Sequence, residues 1–331
     1  MPIAAIHTVG GFTIDAIIHA DGSWSTGRLG GNALWASMGV ALQDGGRPVA
    51  HAVVGGDYPD SAIDRIAARG VDVADVHRHP DVRTARVTFA YREDGSRTQP
   101  APREAVAVLP EDVQAQFADS TRDPARTLAS LPDAAMLEAI ARARGGSWHL
   151  GLLPGTRFAD LTSALRRGGA DYVQADCPAR AELAREGEGL LEEHLGALDV
   201  FLPSTSDTDV FAPGEDHRDL VRRFHDYGAP VVVLKRGELG ALVSDRASGR
   251  MWSVPALPAP ADADATGAGD VFCGSFAHAY RSGRTLLEAA IEASAAAHAA
   301  LASSSPLDLH RPQTSDRRST VAAIAEGVTP L

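Results

Sequence analysis

Three small residues stand between a threonine and an aspartate in the segment DADATGAGDVF, residues 262–272. They are Gly267, Ala268 and Gly269, and the sequence that follows them has apolar residues at helical spacing. Glycine in a helix interior costs roughly 1 kcal/mol relative to alanine. The pattern therefore predicts a turn at a helix N-terminus, where the chemistry needs a bare backbone.

A turn of this kind suits an anion. Unpaired backbone N–H groups and the positive end of the helix dipole lie at a helix N-terminus, and such positions bind phosphate oxygens. Asp270 follows directly in the first turn, where we expect its carboxylate to stay ionised at neutral pH. From there it could accept a proton from a hydroxyl that attacks a phosphorus atom.

The segment matches neither of the two common nucleotide-binding fingerprints. The chain has no G-x-x-x-x-G-K-[ST] pattern, and Phe272 stands where a Rossmann fingerprint needs its third glycine. An ordinary glycine-rich turn with a capping aspartate is the alternative that these residues alone leave open.

The composition is that of a globular chain and argues against several other classes of protein. The 331 residues are 44% apolar and 22% charged, with 43 acidic and 31 basic residues. The basic residues are scattered, which argues against a nucleic-acid partner. The N-terminus has no signal-peptide pattern and no run of about 18 apolar residues occurs, so we expect a cytoplasmic protein without a membrane span. Cys177 and Cys273 are far apart, which is typical of small buried hydrophobic residues in a reducing compartment.

Short β-branched runs alternate with alanine-rich helical segments along the chain. This alternation predicts a parallel sheet with helices on both faces, and we interpret residues 1–331 as a single α/β domain. The predicted strands include IAAIHTVG, PVAHAVVGG, SWHLGLL, ADYVQADC and APVVVLKRG, and the predicted helices include GGNALWASMGVALQDGG and YPDSAIDRIAARGV.

One segment interrupts this alternation. Residues 84–99, TARVTFAYREDGSRTQ, alternate with period two around Asp94-Gly95, which is a strong hairpin signal. Together with GFTIDAIIH near the start, the segment predicts a small extra sheet, either a lid or a dimer flap; a plain surface hairpin is the alternative. Residues 100–145 carry prolines, charges and short helical stretches, and we interpret part of them as an insertion that packs on the edge.

Three motifs, in order, resemble the ribokinase or PfkB-type carbohydrate kinase family. DATGAGDVFCGSF resembles the family signature, which is close to D-T-x-G-A-G-D. GRLGGNALWASMGVALQDGG resembles the N-terminal glycine pair with its alanine-rich helix, and VVVLKRGELGALV resembles the strand-turn-strand beside the nucleotide. The resemblance spans nearly the whole chain and is weakest over residues 100–145.

The resemblance implies a three-layer α/β/α fold with a mostly parallel central sheet and a small β lid from segments near 11–28 and 84–99. Asp270 matches the catalytic base. The amides of Gly267, Ala268 and Gly269 match the anion hole that holds the moving phosphoryl group. The positions that match substrate contacts are Asp15, Gly30, Gly31 and Asn32. The positions that match nucleotide contacts are Lys235, Gly237, Glu238, Gly240, Thr266 and Ser294.

Each assignment has a structural alternative, and one motif departs from the family. Lys235 could be a solvated strand end, and Asn32 could simply cap its helix. The family often has N-x-x-E after the central strand, where this chain has Ser204 and Asp207. Asp207 keeps the charge on a shorter arm, so a role in holding Mg²⁺ through ordered water is expected of it, with Asp209 as the alternative.

The sequence thus predicts an ATP- and Mg²⁺-dependent kinase that phosphorylates a hydroxyl of a sugar or sugar-like substrate. A nucleoside kinase on the same fold is the alternative, since the ribose of a nucleoside also offers a primary hydroxyl. A sugar-binding regulatory protein without turnover is a second alternative, which only the altered Ser204/Asp207 pair favours. A homodimer through the β lid is also expected from the resemblance.

Overall fold

The computed structural model describes residues 5–93, 97–260 and 263–331. The strands are β1 (Ile6–Val9), β2 (Thr13–Ile18), β3 (Trp24–Gly30), β4 (Pro48–Gly55), β5 (Val76–His79), β6 (Arg86–Tyr91), β7 (Arg97–Thr98), β8 (Ser147–Leu150), β9 (Tyr172–Ala175), β10 (Val200–Phe201), β11 (Val231–Lys235), β12 (Ala241–Asp245), β13 (Arg250–Val254) and β14 (Thr329–Pro330). The helices are α1 (Asn32–Ala41), α2 (Asp60–Ala68), α3 (Arg103–Ala107), α4 (Glu111–Gln114), α5 (Pro124–Ala129), α6 (Ala134–Arg144), α7 (Gly155–Arg167), α8 (Arg180–Glu186), α9 (Gly189–His194), α10 (Thr205–Thr208), α11 (His217–Asp226), α12 (Ala268–Arg281), α13 (Leu286–Ala300) and α14 (Thr314–Glu326).

The large sheet has the strand order β14-β13-β12-β11-β10-β9-β8-β1-β4-β5. Its strands from β5 to β11 pair in parallel, and β11 to β14 pair antiparallel. Its central strands are buried along nearly their whole length, although β1, β8 and β9 also carry buried polar side chains, and such burial is typical of strands covered on both faces. The predicted mostly parallel α/β sheet is therefore confirmed.

Helices cover both faces of the large sheet, which gives the three predicted layers. One face carries α6, α7, α9 and α11, whose buried residues form a common core with Trp148 and Leu150 of β8. The other face carries α1, α12 and α13, which bury Leu34, Val271 and Ala296. Within the described ranges, every helix is too short or too polar to span a lipid bilayer.

Helices α1 and α12 cross at unusually close range because glycines face each other's backbone. A Cβ on Gly274 would lie 1.9 Å from the carbonyl oxygen of Ala36, and one on Gly39 would lie 2.4 Å from that of Val271. The hydroxyl of Ser275 donates to the Gly39 carbonyl at 2.8 Å. This contact brings the two glycine turns that begin α1 and α12 to the same end of the molecule.

The second sheet has the order β3-β2-β6-β7, and we call it the lid sheet. Strand β2 pairs antiparallel with β3 and parallel with β6, and β6 pairs antiparallel with β7. The predicted extra sheet from segments near 11–28 and 84–99 is therefore present. The predicted turn at Asp94-Gly95 lies outside the described residues.

One face of the lid sheet is covered by part of residues 100–145, the segment where the family resemblance is weakest. Ala16, Ile18 and Ala90 on that face form a buried cluster with Leu109 and Phe117. The segment that contains α3 and α4 thus packs on the face of the lid sheet. Asp119 and Ser120, which follow it, hydrogen-bond to the backbone of β6 at the sheet edge, as expected for part of residues 100–145. The later part of residues 100–145 instead supplies α6 to the main helix layer.

Candidate active site

The glycine turn predicted from the sequence begins α12. Gly267 is the N-cap residue and has φ 76°, a left-handed conformation that favours glycine. A Cβ at this position would lie 2.2 Å from the indole of Trp35, which is itself buried. The indole therefore lies directly beneath the turn, and the amides of Ala268 and Gly269 begin the helix beside it.

Asp270 is half-buried in the first turn of α12. Burial, aided by the nearby carboxylate of Asp176, raises the pKa of Asp270 to about 7, while the positive charges of Lys235 and Arg97 oppose the rise. A pKa near 7 leaves this group only about half ionised at neutral pH. Burial thus opposes the expected ionisation of Asp270, which stays a prediction.

Lys235, at the end of β11, is buried beside the glycine turn. Its Nζ donates to Oδ2 of Asp176 at 2.6 Å and lies 3.3 Å from Sγ of Cys273, and 11% of its side chain is exposed. A Cβ on Gly269 would lie 3.8 Å from the same Nζ. The solvated-strand-end interpretation of Lys235 is therefore wrong, and the Asp176 carboxylate raises the pKa of the Lys235 ammonium.

Asp15 lies on β2 of the lid sheet and is buried. Its Oδ1 has no hydrogen-bond partner among the described residues, and burial raises the pKa of Asp15 to about 7. A Cβ on Gly30 would lie 2.0 Å from the carboxylate, so the bare glycine makes room for the acid. An unsatisfied buried acceptor is costly, and a ligand hydroxyl would satisfy it.

Asn32 holds the substrate-side turn together. Its Oδ1 accepts the amides of Gly11 and Ala33, each at 2.8 Å, and its Nδ2 donates to the carbonyl of Leu152 at 2.6 Å. The N-cap of α1 is Gly31, with φ 105°, so Asn32 is the first helical residue. The predicted substrate contacts of Gly30, Gly31 and Asn32 stay predictions, and the Asn32 amide already bridges three loops.

The lid sheet contacts the signature motif through two side chains that the sequence analysis did not single out for this role. The Tyr91 hydroxyl donates to Asp264 at 2.8 Å and lies 2.6 Å from the Thr266 hydroxyl. Arg97 Nη1 donates to the same Thr266 oxygen at 2.7 Å. These partners are separated by about half the chain, so only the fold brings them together.

The predicted nucleotide-side turn joins β11 to β12. Gly237 begins a short 3-10 turn, and Gly240 ends it with φ 76°. A Cβ on Gly240 would lie 2.0 Å from the carbonyl of Val254, so glycine is required there for packing. Glu238 is exposed on this turn and Ser294 is half-buried on α13; their contacts with a nucleotide stay predictions.

Both carboxylate oxygens of Asp207 accept hydrogen bonds from neighbouring residues. Its Oδ1 accepts Nε of Arg180 at 2.6 Å, and its Oδ2 accepts the backbone amide of Ser204 in a capping box that begins α10. Among the residues that the structure describes, no group of three or more acidic, His or Cys side chains could hold a metal ion. The described side chains therefore do not form a protein cage for Mg²⁺, and the role of Asp207 stays a prediction.

The sequence profile of the pfkB family carbohydrate kinases matches residues 26–311. The chain belongs to this family, and the family resemblance is confirmed.

The proteins to which this chain is similar include kinases named for different substrates. A cytidine kinase from Thermococcus kodakarensis is 26% identical over 283 residues, which are 85% of this chain and 90% of that protein. A nucleoside kinase from Burkholderia thailandensis, solved with inosine, has a TM-score of 0.70 at 17% identity, with 98% of each chain covered. A ribokinase from Arabidopsis thaliana, solved with ribose and ATP, has a TM-score of 0.67 at 17% identity, with 96% and 99% covered.

Proposed function

We propose that this protein transfers the γ-phosphoryl group of ATP to a hydroxyl of a sugar or of the sugar part of a nucleoside. The hydroxyl lies between the lid sheet and α12, and Asp15 accepts hydrogen bonds from the other hydroxyls of the acceptor. Asp270 accepts the proton of the attacking hydroxyl. The amides of Gly267, Ala268 and Gly269 hold the phosphoryl oxygens as charge develops on them.

The position and pKa of Asp270 carry this proposal. A general base works best when its pKa lies near the working pH, and burial raises the pKa of Asp270 to about 7. The base must be deprotonated to act. We therefore expect kcat to rise with pH through an acid limb centred near pH 7.

Two observations support ATP as the phosphoryl donor. A helix N-terminus such as that of α12 favours phosphate oxygens, although the Ala268 amide donates to the carbonyl of Ala265 at 3.3 Å in this structure. Lys235, largely buried and paired with Asp176, adds a positive charge next to Gly269. Mg²⁺ usually keeps several waters and binds through substrate phosphates. We infer that it arrives on the phosphates of ATP, since the described carboxylates do not form a cage for it.

A nucleoside is the second candidate acceptor, because the cytidine kinase aligns with 85% of this chain. The non-catalytic alternative loses support at the site. A protein that only binds sugar has no need for a base beside the amides of a helix N-terminus, where Asp270 lies.

The test is ADP release with ATP, Mg²⁺ and two matched acceptor series. One series contains pentoses, hexoses and sugar acids, and the other contains ribonucleosides and deoxyribonucleosides. Phosphorylated product is confirmed by ³¹P NMR. Turnover with one series, and its loss in Asp270→Asn, supports the proposal and names the acceptor class; saturable acceptor binding without ADP release would establish the non-catalytic alternative.

A further inference from the structure

Arg97 joins the lid sheet to the phosphate-binding turn. Its Nη1 donates to Oγ1 of Thr266 at 2.7 Å, and Thr266 immediately precedes the left-handed Gly267. Its guanidinium carbon lies 4.7 Å from the ring centroid of Phe89, which is a cation–π distance. The guanidinium is thus held by two contacts, one with an aromatic ring of the lid sheet and one with a hydroxyl of the signature motif.

Strand register places this guanidinium above the face that carries the substrate-side carboxyl. Asp15 pairs with Val87, and Ile17 pairs with Phe89, in the parallel β2–β6 ladder. Alternate residues of a strand point to the same face, so Asp15 and Phe89 share the inner face of the lid sheet. Arg97, stacked on Phe89, therefore lies over the same face of the lid sheet as Asp15.

We propose that Arg97 is a positioning residue for phosphoryl transfer, which fixes Thr266 and the adjoining turn from the lid and brings one positive charge to the base. The inference rests on the proposed function. It adds that the site is complete only when the lid sheet is seated on the signature motif. The same charge would favour the anionic phosphoryl group, since a guanidinium pairs well with phosphate oxygens.

The charges around Asp270 come from four elements or their ends. Burial is the largest cause of its raised pKa; Asp176, after β9, and Asp207, on α10, raise it further, while Lys235 on β11 and Arg97 on β7 lower it. Removing Arg97 therefore raises the pKa of Asp270. Because Arg97 is exposed to solvent, water and salt screen its charge, and we expect a shift of about half a pH unit to one unit.

A second contact between the lid sheet and the signature motif makes it possible to test the charge of Arg97 apart from its mechanical role. The Tyr91 hydroxyl already bonds to Asp264 and Thr266, so the lid remains tethered when Arg97 is replaced. A variant that keeps Tyr91 tests the guanidinium itself.

The experiment compares Arg97→Gln, Arg97→Lys and the control Arg86→Gln. Arg86 lies on β6 of the same sheet and forms an ion pair with Asp57 at 2.8 Å, so its replacement removes the same charge from the lid at another place. For each variant, kcat and the KM values for ATP and for the acceptor are measured from pH 5.5 to 9 at low and high salt.

We expect the acid limb of Arg97→Gln to move to higher pH by about half a unit to one unit, so that kcat at pH 6 falls about three- to tenfold. The shift should shrink at high salt. Arg97→Lys should restore most of the original limb, and Arg86→Gln should leave it in place. An unchanged limb in Arg97→Gln, or an equal shift in Arg86→Gln, would overturn the inference.

A readout without turnover separates this inference from the proposed function. Asp270→Asn removes a carboxyl whose charged form is unfavourable in the folded protein, so it should raise Tm at pH 8. We expect this gain in Tm to be larger when Arg97→Gln is also present, because the folded pKa of Asp270 is then higher. Wild-type protein without kinase activity would refute the proposed function, whereas an equal Tm gain in both backgrounds would refute the role of Arg97.

Discussion

Two carboxyls of the site, Asp15 and Asp270, have pKa values raised to about 7 by burial. Their surroundings differ. Asp15 is buried in the lid sheet with one oxygen unpaired among the described residues, which suits an acceptor of substrate hydroxyls. Asp270 lies at a helix N-terminus near Lys235 and Asp176, which suits a group that takes a proton beside a phosphate.

The raised pKa of Asp15 predicts a pH-dependent effect of Asp15→Asn on stability. The folded protein keeps this proton up to about pH 7, and the unfolded chain only up to about pH 4. The contribution to stability is therefore full below pH 4 and is lost as the pH rises to 7. Because Asn carries no charge, Asp15→Asn should stabilise the fold more at pH 8 than at pH 5, by a difference on the order of 2 kcal/mol.

Urea unfolding at the two pH values measures this difference. Asp216→Asn is the control, since backbone amides lower the pKa of this exposed helix cap and its replacement should cost the same at both pH values. An Asp15→Asn variant that is no more stable at pH 8 than at pH 5, relative to wild type, would contradict the burial argument.

Gly267→Ala tests the proposed role of the α12 turn in holding phosphate. The new Cβ would lie 2.2 Å from the Trp35 indole, so either the ring or the turn must move. We expect a loss of kcat of about a hundredfold, which is the scale seen when one oxyanion donor is displaced. Gly283→Ala is the matched control, because Gly283 also has positive φ but its Cβ would meet open space; equal losses of kcat would show that backbone strain alone matters.

At the scale of elements, the α1–α12 contact aligns the two glycine turns. A Cβ on Gly274 would lie 1.9 Å from a backbone oxygen of α1, and backbone cannot yield as a flexible side chain does. We expect Gly274→Ala to destabilise the fold by about 3 kcal/mol, measured by urea unfolding. Gly189→Ala in α9, where a Cβ meets nothing within 4 Å, should be neutral or stabilising; a neutral Gly274→Ala would refute the close-contact argument.

The segment that contains α3 and α4 packs on one face of the lid sheet, and we expect this packing to stabilise the fold. Phe117 is buried against Ala16, Ile18 and Ala90, so Phe117→Ala should cost about 3 kcal/mol in the free energy of unfolding. Val108 is 83% exposed in the same segment, and Val108→Ala should cost almost nothing. Equal costs would mean that the segment does not hold the lid sheet.

The elements were largely predictable from the sequence, and several functional neighbours were not. Periodicity and glycine placement predicted the helix after the GAG turn, the helix after Gly31, and the lid strands around 84–99. No local pattern could pair Lys235 with Asp176 or Tyr91 with Asp264, because these contacts join residues 59 and 173 positions apart. The burial that raises the pKa of Asp270 is likewise a property of the packed site.

At the scale of the whole molecule, the site forms where three parts of the fold meet. The lid sheet supplies Asp15, the carboxyl ends of parallel strands supply Asp176 and Lys235, and α12 supplies Asp270. Ligand sites of open parallel sheets commonly lie at this carboxyl edge. The chain thus brings acids and amides from both halves of its sequence to one place.

The homodimer through the β lid stays a prediction, and the surroundings of the lid sheet limit where it could form. One face of the lid sheet is covered by Leu109 and Phe117, and the other faces the site. A dimer through this sheet would therefore have to pair along one of its edge strands, β3 or β7. Of these two strands, β3 is the longer.

The central claim is that Asp270 takes the proton while neighbouring amides hold the phosphoryl group. The most direct measurement is kcat for Asp270→Asn, together with the Kd of a non-hydrolysable ATP analogue from calorimetry. We predict a fall in kcat of about 10²–10⁴-fold with little change in Kd, as for loss of a general base. Turnover near the wild-type value in a folded Asp270→Asn variant would contradict the account.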